Sequence, residues 1–218
     1  AVERAWRAGA ISERVGSPER ALRWADVVLL AVPVDELIGW LDRWGERLEP
    51  GTVVLDVGST KAEVVRAMDR LPEGVQAVGA HPMAGSEESG MGAARPDLFH
   101  GARWALAETS RTGPRAREVA EAVVEAAGAR PFWTGPGDHD RATAATSHLP
   151  YLLSAALARH LRGREGEVPV RELMGPGAKD MTRLAGSDPS VMAGILATSW
   201  PAVRREAEAF LRGLERLV

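Results

Sequence analysis

DVVLLAVP, residues 26–33, is the stretch that decides the fold. It is short, apolar throughout its centre and rich in valine, which is typical of a strand buried on both faces of a sheet. Residues 35–48 follow with apolar side chains at helical spacing, and residues 51–57, GTVVLDV, form a second strand-like run. A strand, a helix and another strand in this order predict a parallel sheet covered by helices.

The same alternation continues along the first part of the chain. We predict further helices at residues 61–71 and 114–127 and further strands at 75–80, 103–108 and 130–134. Beyond residue 135 the pattern is helical throughout, with a kink expected at Pro150 and a break between the last two helices at Pro201. The predicted fold class is therefore α/β plus all-α: an incomplete Rossmann-like parallel-sheet domain at residues 1–135, then a helical domain at 136–218.

Composition excludes several classes of function. Hydrophobic residues make up 45% of the chain and charged residues 26%, with a net charge of -3, which indicates a soluble protein and no nucleic-acid partner. The longest apolar run is too short to span a membrane, and no signal peptide is visible, so we expect a cytoplasmic protein. Cysteine is absent from the sequence, which removes thiolate catalysis. Of the 27 basic residues only two are lysine, Lys61 and Lys179. Lysine at these two positions indicates either a specific role for each or chance.

Three strand ends carry residues suited to chemistry, and a parallel sheet binds ligands outside the carboxyl ends of its strands. At the first two ends we predict cofactor contacts from Val32, Pro33, Ser59 and Lys61. At the third end stands His81, which can take or give a proton near neutral pH, the alternative being a buried histidine bonded to backbone.

Ser59 admits two interpretations. It could orient the His81 ring through a hydrogen bond and fix its tautomer. Alternatively, Ser59 or Thr60 caps the following helix, with Glu63 completing a capping box from Thr60. Both can hold, since a cap residue can still face a ligand.

The helical domain offers further candidates. Asp138, His139 and Asp140 are adjacent on a helix and cannot easily share one ion, so we interpret them as a charged, capped helix start and predict no metal. The next polar candidates share or adjoin one helix face and form either a binding site or a polar stripe: Ser147, His148 and Tyr151. Arg183 could clamp a carboxylate, although a solvated role is equally open for one arginine among many.

Together these segments resemble the prephenate dehydrogenase family of tyrosine biosynthesis. The matching stretches follow the family's order over nearly the whole chain: ADVVLLAVP (25–33), DVGSTK (56–61), HPMAGSE (81–87), SHLP (147–150), DMTRLA (180–185) and SDP (187–189). The resemblance implies an enzyme that uses NAD or NADP to convert prephenate to 4-hydroxyphenylpyruvate. Hydride leaves the ring carbon that bears the hydroxyl, and loss of carbon dioxide then makes the ring aromatic.

The resemblance also implies roles for individual residues. His81 would bond the substrate hydroxyl, Ser59 would orient His81 near the nicotinamide, and Arg183 would bind a substrate carboxylate. The substrate pocket would be lined by Ser86, Glu87, Ser147, His148 and, in the place where the family often has histidine, Tyr151. Family members are homodimers built through the helical domain, so we expect the same assembly here.

The chain departs from the family pattern in ways that keep alternatives open. The family begins with a strand and a Gly-x-Gly-x-x-Gly turn, which this sequence lacks, and residues 1–8 already have a helical pattern without a cap. We therefore expect natural sequence upstream of Ala1. The family often has histidine at the position of Tyr151, and it commonly has tryptophan around Met192-Ala193. These two differences suggest arogenate as an alternative substrate. Two other hypotheses are a β-hydroxyacid dehydrogenase with Lys179 as its catalytic lysine, and a non-catalytic dimerisation or regulatory module.

Overall fold

The computed structural model describes residues 2–85 and 94–218. The chain forms two compact units, Ala1–His139 and Asp140–Val218. The first unit contains a sheet and its covering helices, and the second is helical. This division follows His139, whereas the sequence pattern changes after residue 135.

The sheet of the first unit has five strands among the described residues, in the spatial order β1 to β5. Their bounds are β1 Val27–Leu30, β2 Val53–Asp56, β3 Gln76–Pro82, β4 Arg103–Glu108 and β5 Arg130–Trp133. The pairs β1–β2, β2–β3 and β4–β5 are parallel, as the alternation of strands and helices predicts. All five predicted strands are therefore present.

The pairing of β3 with β4 is antiparallel and departs from the predicted all-parallel sheet. In this pair His81 lies opposite Ala105 and Pro82 opposite Trp104. An antiparallel neighbour needs no crossover helix, and the described residues between the two strands form turns rather than a helix. The sheet is thus mostly parallel, with one reversal directly beside His81.

Among the described residues, five helices lie wholly within the first unit: α1 Val2–Arg7, α2 Pro18–Leu22, α3 Val34–Trp44, α4 Ala62–Met68 and α5 Pro114–Ala126. Alternate side chains of the sheet point to opposite faces. One set, which includes Leu55, Ala80 and Leu106, packs against Ala120 of α5 in a buried core. Gly79 lies on the other face, close to Val65 of α4, so helices cover both faces.

The second unit is built on two long helices. Its elements are the end of α6 Pro136–Thr143, a π turn at Ala144–His148, α7 Leu149–Gly163, α8 Val170–Leu173, α9 Pro176–Thr182, a 3-10 turn at Arg183–Gly186 and α10 Pro189–Glu215. Ala144, Ala202 and Val203 form its small buried core, with Leu152 and Leu196 packed against them.

The two prolines behave differently from each other. Pro150 lies in the first turn of α7, directly after the π turn, where its missing N–H interrupts little. The prediction that Pro201 separates two helices is wrong, because α10 runs through it without a break. Leu196 before the proline and Val203 after it pack into the same core, and this shared burial offsets the cost of the interrupted hydrogen bond, about 3 kcal/mol.

Within the described residues, no helix combines the length and the apolar character needed to cross a bilayer.

Candidate active site

A fully buried ion pair joins the end of β2 to the start of α4. Lys61 Nζ donates to Asp56 Oδ2, and neither side chain has any solvent-accessible surface. The same Asp56 carboxylate accepts a hydrogen bond from the Gly58 N–H at 2.7 Å and another, through Oδ1, from the Ala80 N–H at 2.7 Å. One carboxylate therefore fixes both the turn after β2 and the segment of β3 directly before His81.

Glycine at two positions makes room for this ion pair. A Cβ at Gly58 would lie 3.0 Å from Asp56 Oδ2. A Cβ at Gly79 would lie 3.3 Å from Lys61 Cδ and 3.1 Å from Val65 Cγ2. All three distances are tighter than ordinary van der Waals contacts, so the close approach requires residues without a side chain.

His81 stands near the carboxyl end of β3 and is half-buried. Its Nδ1 lies 2.9 Å from Nε2 of His139, and the two rings meet edge to face at 62° with centroids 5.1 Å apart. His139 belongs to α6 and is only 4% exposed. The sequence interpretation of residues 138–140 as a charged, capped helix start did not predict that His139 and Asp140 are buried.

The contact between the two histidines has a chemical consequence. Of the two facing nitrogens, one carries a proton and the other accepts it. If His81 Nδ1 carries that proton, the lone pair of the neutral His81 ring is on Nε2, which can then act as a base. His81 is thus competent as a base in the tautomer in which its Nδ1–H donates to His139.

The other strand-end residues occupy different environments. Val32 and Pro33 are exposed just beyond β1, where Val32 borders a cavity of about 460 Å³ along that strand. Ser59 is half-buried in the turn after β2. The nitrogen Nδ1 of His81 is engaged by His139, so a bond from Ser59 to this ring stays a prediction.

Lys61 does not lie on a surface that a cofactor could contact, because its side chain is wholly buried and its ammonium pairs with Asp56. The predicted capping box at the start of α4 also differs from the structure. The helix begins after Lys61, and the Glu63 carboxylate instead pairs with Arg66 one turn later.

The place of three predicted cofactor contacts suits a dinucleotide: Val32, Pro33 and the turn after β2. They stand at the carboxyl ends of two parallel strands, where such cofactors bind. Val32 and Pro33 offer an accessible apolar edge to a ring, and the half-buried hydroxyl of Ser59 can hydrogen-bond to an amide.

Within the second unit, His148 ends the π turn and is 2% exposed. Its Nδ1 lies 3.2 Å from Oγ of Ser199 on α10, which is equally buried. The prediction that His148 lines a substrate pocket is not tested by this contact, which engages only one ring nitrogen. Ser147 beside it is exposed, and Tyr151 is half-buried on α7.

Arg183 is exposed at the first position of the 3-10 turn after α9. This turn is anchored to α7 because the Ala185 N–H donates to Oγ of the buried Ser154 at 3.0 Å. Tyr151 precedes Ser154 by three residues and so lies on the same side of α7. The structure thereby brings the segments of Arg183 and Tyr151 together.

Ser86 and Glu87 lie outside the described residues. Sequence reasoning missed His139, Ser154 and Ser199. Each is a polar residue on a helix face that is buried in the structure, and the helical spacing of that face was the signal that could have identified it. Across residues 2–85 and 94–218, no group of three or more His, Asp or Glu side chains could hold a metal ion.

Comparison with known proteins gives consistent matches over both units. The model of the prephenate dehydrogenase nucleotide-binding domain matches residues 1–132, and that of the prephenate dehydrogenase dimerization domain matches residues 135–218. The prephenate dehydrogenase of Bacillus subtilis (strain 168) is 31% identical over 216 residues, covering 98% of this chain. The chain spans 58% of the length of that relative.

Two solved structures are similar over 99% of the chain. The first is prephenate dehydrogenase from A. aeolicus in complex with hydroxyphenyl propionate and NAD+, with a TM-score of 0.91, 29% identity and 76% of that chain covered. The second is Synechocystis arogenate dehydrogenase, with a TM-score of 0.83, 26% identity and 78% of that chain covered.

Proposed function

The chain belongs to the prephenate dehydrogenase family, and on that premise we propose that the protein catalyses the oxidative decarboxylation of prephenate to 4-hydroxyphenylpyruvate with NAD or NADP. The observation that carries the proposal is the contact of half-buried His81 with buried His139 near the carboxyl end of β3, which pairs in parallel with β2. In the tautomer in which His81 Nδ1 donates to His139, this arrangement supplies a base where the fold binds ligands.

In the proposed reaction His81 Nε2 accepts the proton of the ring hydroxyl. The ring carbon that bears this oxygen loses its hydrogen as hydride, and the C–O bond becomes a carbonyl. The bond to the ring carboxylate then breaks, its electron pair makes the ring aromatic, and carbon dioxide leaves. The proton held by His81 returns to the oxygen, which completes the phenol.

The bound nicotinamide supplies the hydride acceptor in this scheme. Val32, Pro33 and Ser59 are the residues proposed to hold it, in agreement with their place at the strand ends. Lys61 and Asp56 are proposed to act beneath the site by fixing the turn that carries Ser59.

In the second unit we propose that Arg183 binds a substrate carboxylate, since a guanidinium can form two parallel hydrogen bonds to one. Its segment is anchored to α7 through Ser154, which supports a defined position. Ser147, His148 and Tyr151, with Ser86 and Glu87, are proposed to complete the substrate pocket.

The decisive experiment replaces His81 by Asn and measures turnover of prephenate together with binding of NAD and NADP. We expect turnover to fall by about 10²- to 10⁴-fold, the contribution of a general base, while cofactor affinity changes little. The matched control is His160→Asn, on an exposed position of α7, with unchanged turnover expected. Full activity of His81→Asn would refute the proposed role.

Arogenate is the second candidate substrate. It is favoured by Tyr151, which stands where the family often has histidine, and is consistent with the similarity to the Synechocystis arogenate dehydrogenase. Steady-state kinetics with prephenate and arogenate side by side would decide between them through the ratio of kcat/KM.

We also propose a homodimer formed through the helical unit and a cytoplasmic location. Exposed apolar side chains on the last turns of α10, Phe210, Leu211 and Leu214, support the dimer. Light scattering of the purified protein tests it, and a monomer at micromolar concentration would contradict it.

A further inference from the structure

We infer that Ser199 is a positioning residue that holds the ring of His148 in the Nδ1–H form, which leaves Nε2 as the nitrogen that gains or loses a proton. That His148 meets a substrate at all rests on the proposed function. The tautomer itself follows from contacts within the second unit and can be tested without any substrate.

The contact lies in a dry environment. His148 and Ser199 are each 2% exposed, and Nδ1 and Oγ are 3.2 Å apart. Nearby, Ala144 of the π turn packs against Ala202 and Val203 of α10. Water therefore competes little for Nδ1 and Oγ, and these two atoms must find their partners within the protein.

Counting protons assigns the direction of the bond. Ser199 Oγ lies 2.7 Å from the carbonyl oxygen of Ile195, one helical turn earlier. A carbonyl oxygen can only accept, so the single hydroxyl proton of Ser199 points to Ile195. The remaining contact of Oγ must then be as an acceptor, and His148 Nδ1 must be the donor.

The lone pair of the neutral ring is consequently on Nε2. In that state Nε2 accepts a hydrogen bond, whereas in the imidazolium both nitrogens donate and Nε2 can bind a carboxylate. In either state Nδ1–H stays directed at Ser199. The hydroxyl thus fixes both the orientation of the ring and the nitrogen that remains chemically variable.

The neighbouring Thr198 shows why position, not residue type, is decisive. Its hydroxyl makes the same backward bonds, to the carbonyl oxygens of Gly194 at 2.8 Å and Ile195 at 3.2 Å. Adjacent residues on a helix point in different directions, so only one of these two hydroxyls can meet the His148 ring. Thr198 is therefore a matched control for Ser199.

The test is long-range ¹H–¹⁵N NMR of the side chains of the five histidines, with His148 assigned through the His148→Gln variant. In the unaltered protein we expect His148 as the Nδ1–H tautomer and exposed His160 as the mixture typical of water. In Ser199→Ala, loss of one hydrogen bond should move the His148 tautomer ratio about fivefold toward Nε2–H. Thr198→Ala should leave it unchanged, and Ser199→Thr, which keeps the hydroxyl, should restore it.

An Nε2–H tautomer of His148 in the unaltered protein would overturn the inference, as would an unchanged ratio in folded Ser199→Ala. Kinetics separate this result from the proposed function. If the protein shows no dehydrogenase activity but His148 is the Nδ1–H tautomer, the proposed function fails and the role of Ser199 stands.

Discussion

Replacing Lys61 by Met tests the buried ion pair beneath the candidate active site. The substitution removes the ammonium but keeps an unbranched side chain of similar length, so packing against Gly79 and Val65 changes little. The Asp56 carboxylate remains, fully buried, and still accepts hydrogen bonds from the Gly58 and Ala80 N–H groups. The perturbation is therefore chiefly electrostatic.

The expected cost follows from that burial. Removal of one partner of a buried pair leaves an uncompensated charge and typically destabilises a protein by about 3–5 kcal/mol. For a chain of this size, each kcal/mol lowers Tm by about 2–4 °C, so we expect a fall of roughly 6–20 °C. An exposed ion pair would contribute about 0–1 kcal/mol, and its loss would be hard to detect.

Thermal unfolding followed by far-UV circular dichroism measures the effect. Lys179→Met is the matched control, because Lys179 is the other lysine of the chain and is exposed on α9, so its Tm should stay within about 2 °C of the original. Asp56→Asn combined with Lys61→Met should cost less than the sum of the single changes, since neither charge is then left alone. Lys61→Arg keeps the charge but should also be less stable than the original protein, because the branched guanidinium does not fit beside Gly79.

A Tm of Lys61→Met equal to that of Lys179→Met would refute the reasoning. It would mean that the Asp56 carboxylate is satisfied by its backbone donors alone, and that the lysine is retained for another reason.

Three further outcomes are expected. Gly79→Ala should destabilise the protein by about 1–3 kcal/mol in urea unfolding, because the added Cβ has no room. Gly39 is exposed in α3 with nothing near an added Cβ, so Gly39→Ala should stabilise the protein by about 0.5–1 kcal/mol. The opposite ranking of the two variants would contradict the packing described. Pro201→Ala should stabilise α10 by up to about 3 kcal/mol, seen as a higher Tm, because the helix already continues through this position. Hydrogen bonds from the Ser190 side chain and then its backbone N–H lower the pKa of the Asp188 carboxyl, so this cap stabilises α10 at neutral pH and is lost as pH falls through that lowered pKa. The loss should appear in a pH titration of helicity and be missing from Asp188→Asn; an identical titration would show that the cap contributes nothing.

Hydrophobic periodicity predicted the order of strands and helices because burial on one or two faces leaves a repeating pattern in the sequence. Residues 26–33 and 51–57 were identifiable for this reason. The direction of β4 was not, since a strand of the same composition can pair either way and the choice depends on its connection to β3.

The position of His81 near the end of a strand could be predicted from the sequence, and the structure has it there. It was proposed as a site residue because ligands bind at strand ends in such sheets, and that role stays a prediction. His139 was missed because Asp138, His139 and Asp140 have the composition of a charged helix start. Its ring contacts His81 of β3, 58 residues away in the chain, and no local pattern reports a contact of that sequence separation.

Pro201 illustrates the opposite error. Local rules predicted a helix break, but half-buried Leu196 and buried Val203 pack in one cluster, and a break would have separated them. Tertiary packing prevailed over local propensity, and only the three-dimensional arrangement reveals that competition.

The π turn at Ala144–His148 makes the second unit tolerant of a change in length at one place. A π turn contains one more residue than the α-helical turn it replaces. Deleting the exposed Ala145 would close the turn into an ordinary helix and leave the flanking helices in phase. Deleting the equally exposed Ala156, in the middle of α7, would rotate everything beyond it by about 100°. Deletion of one alanine is therefore absorbed locally at Ala145, whereas at Ala156 it rotates the rest of the helix relative to the part before it.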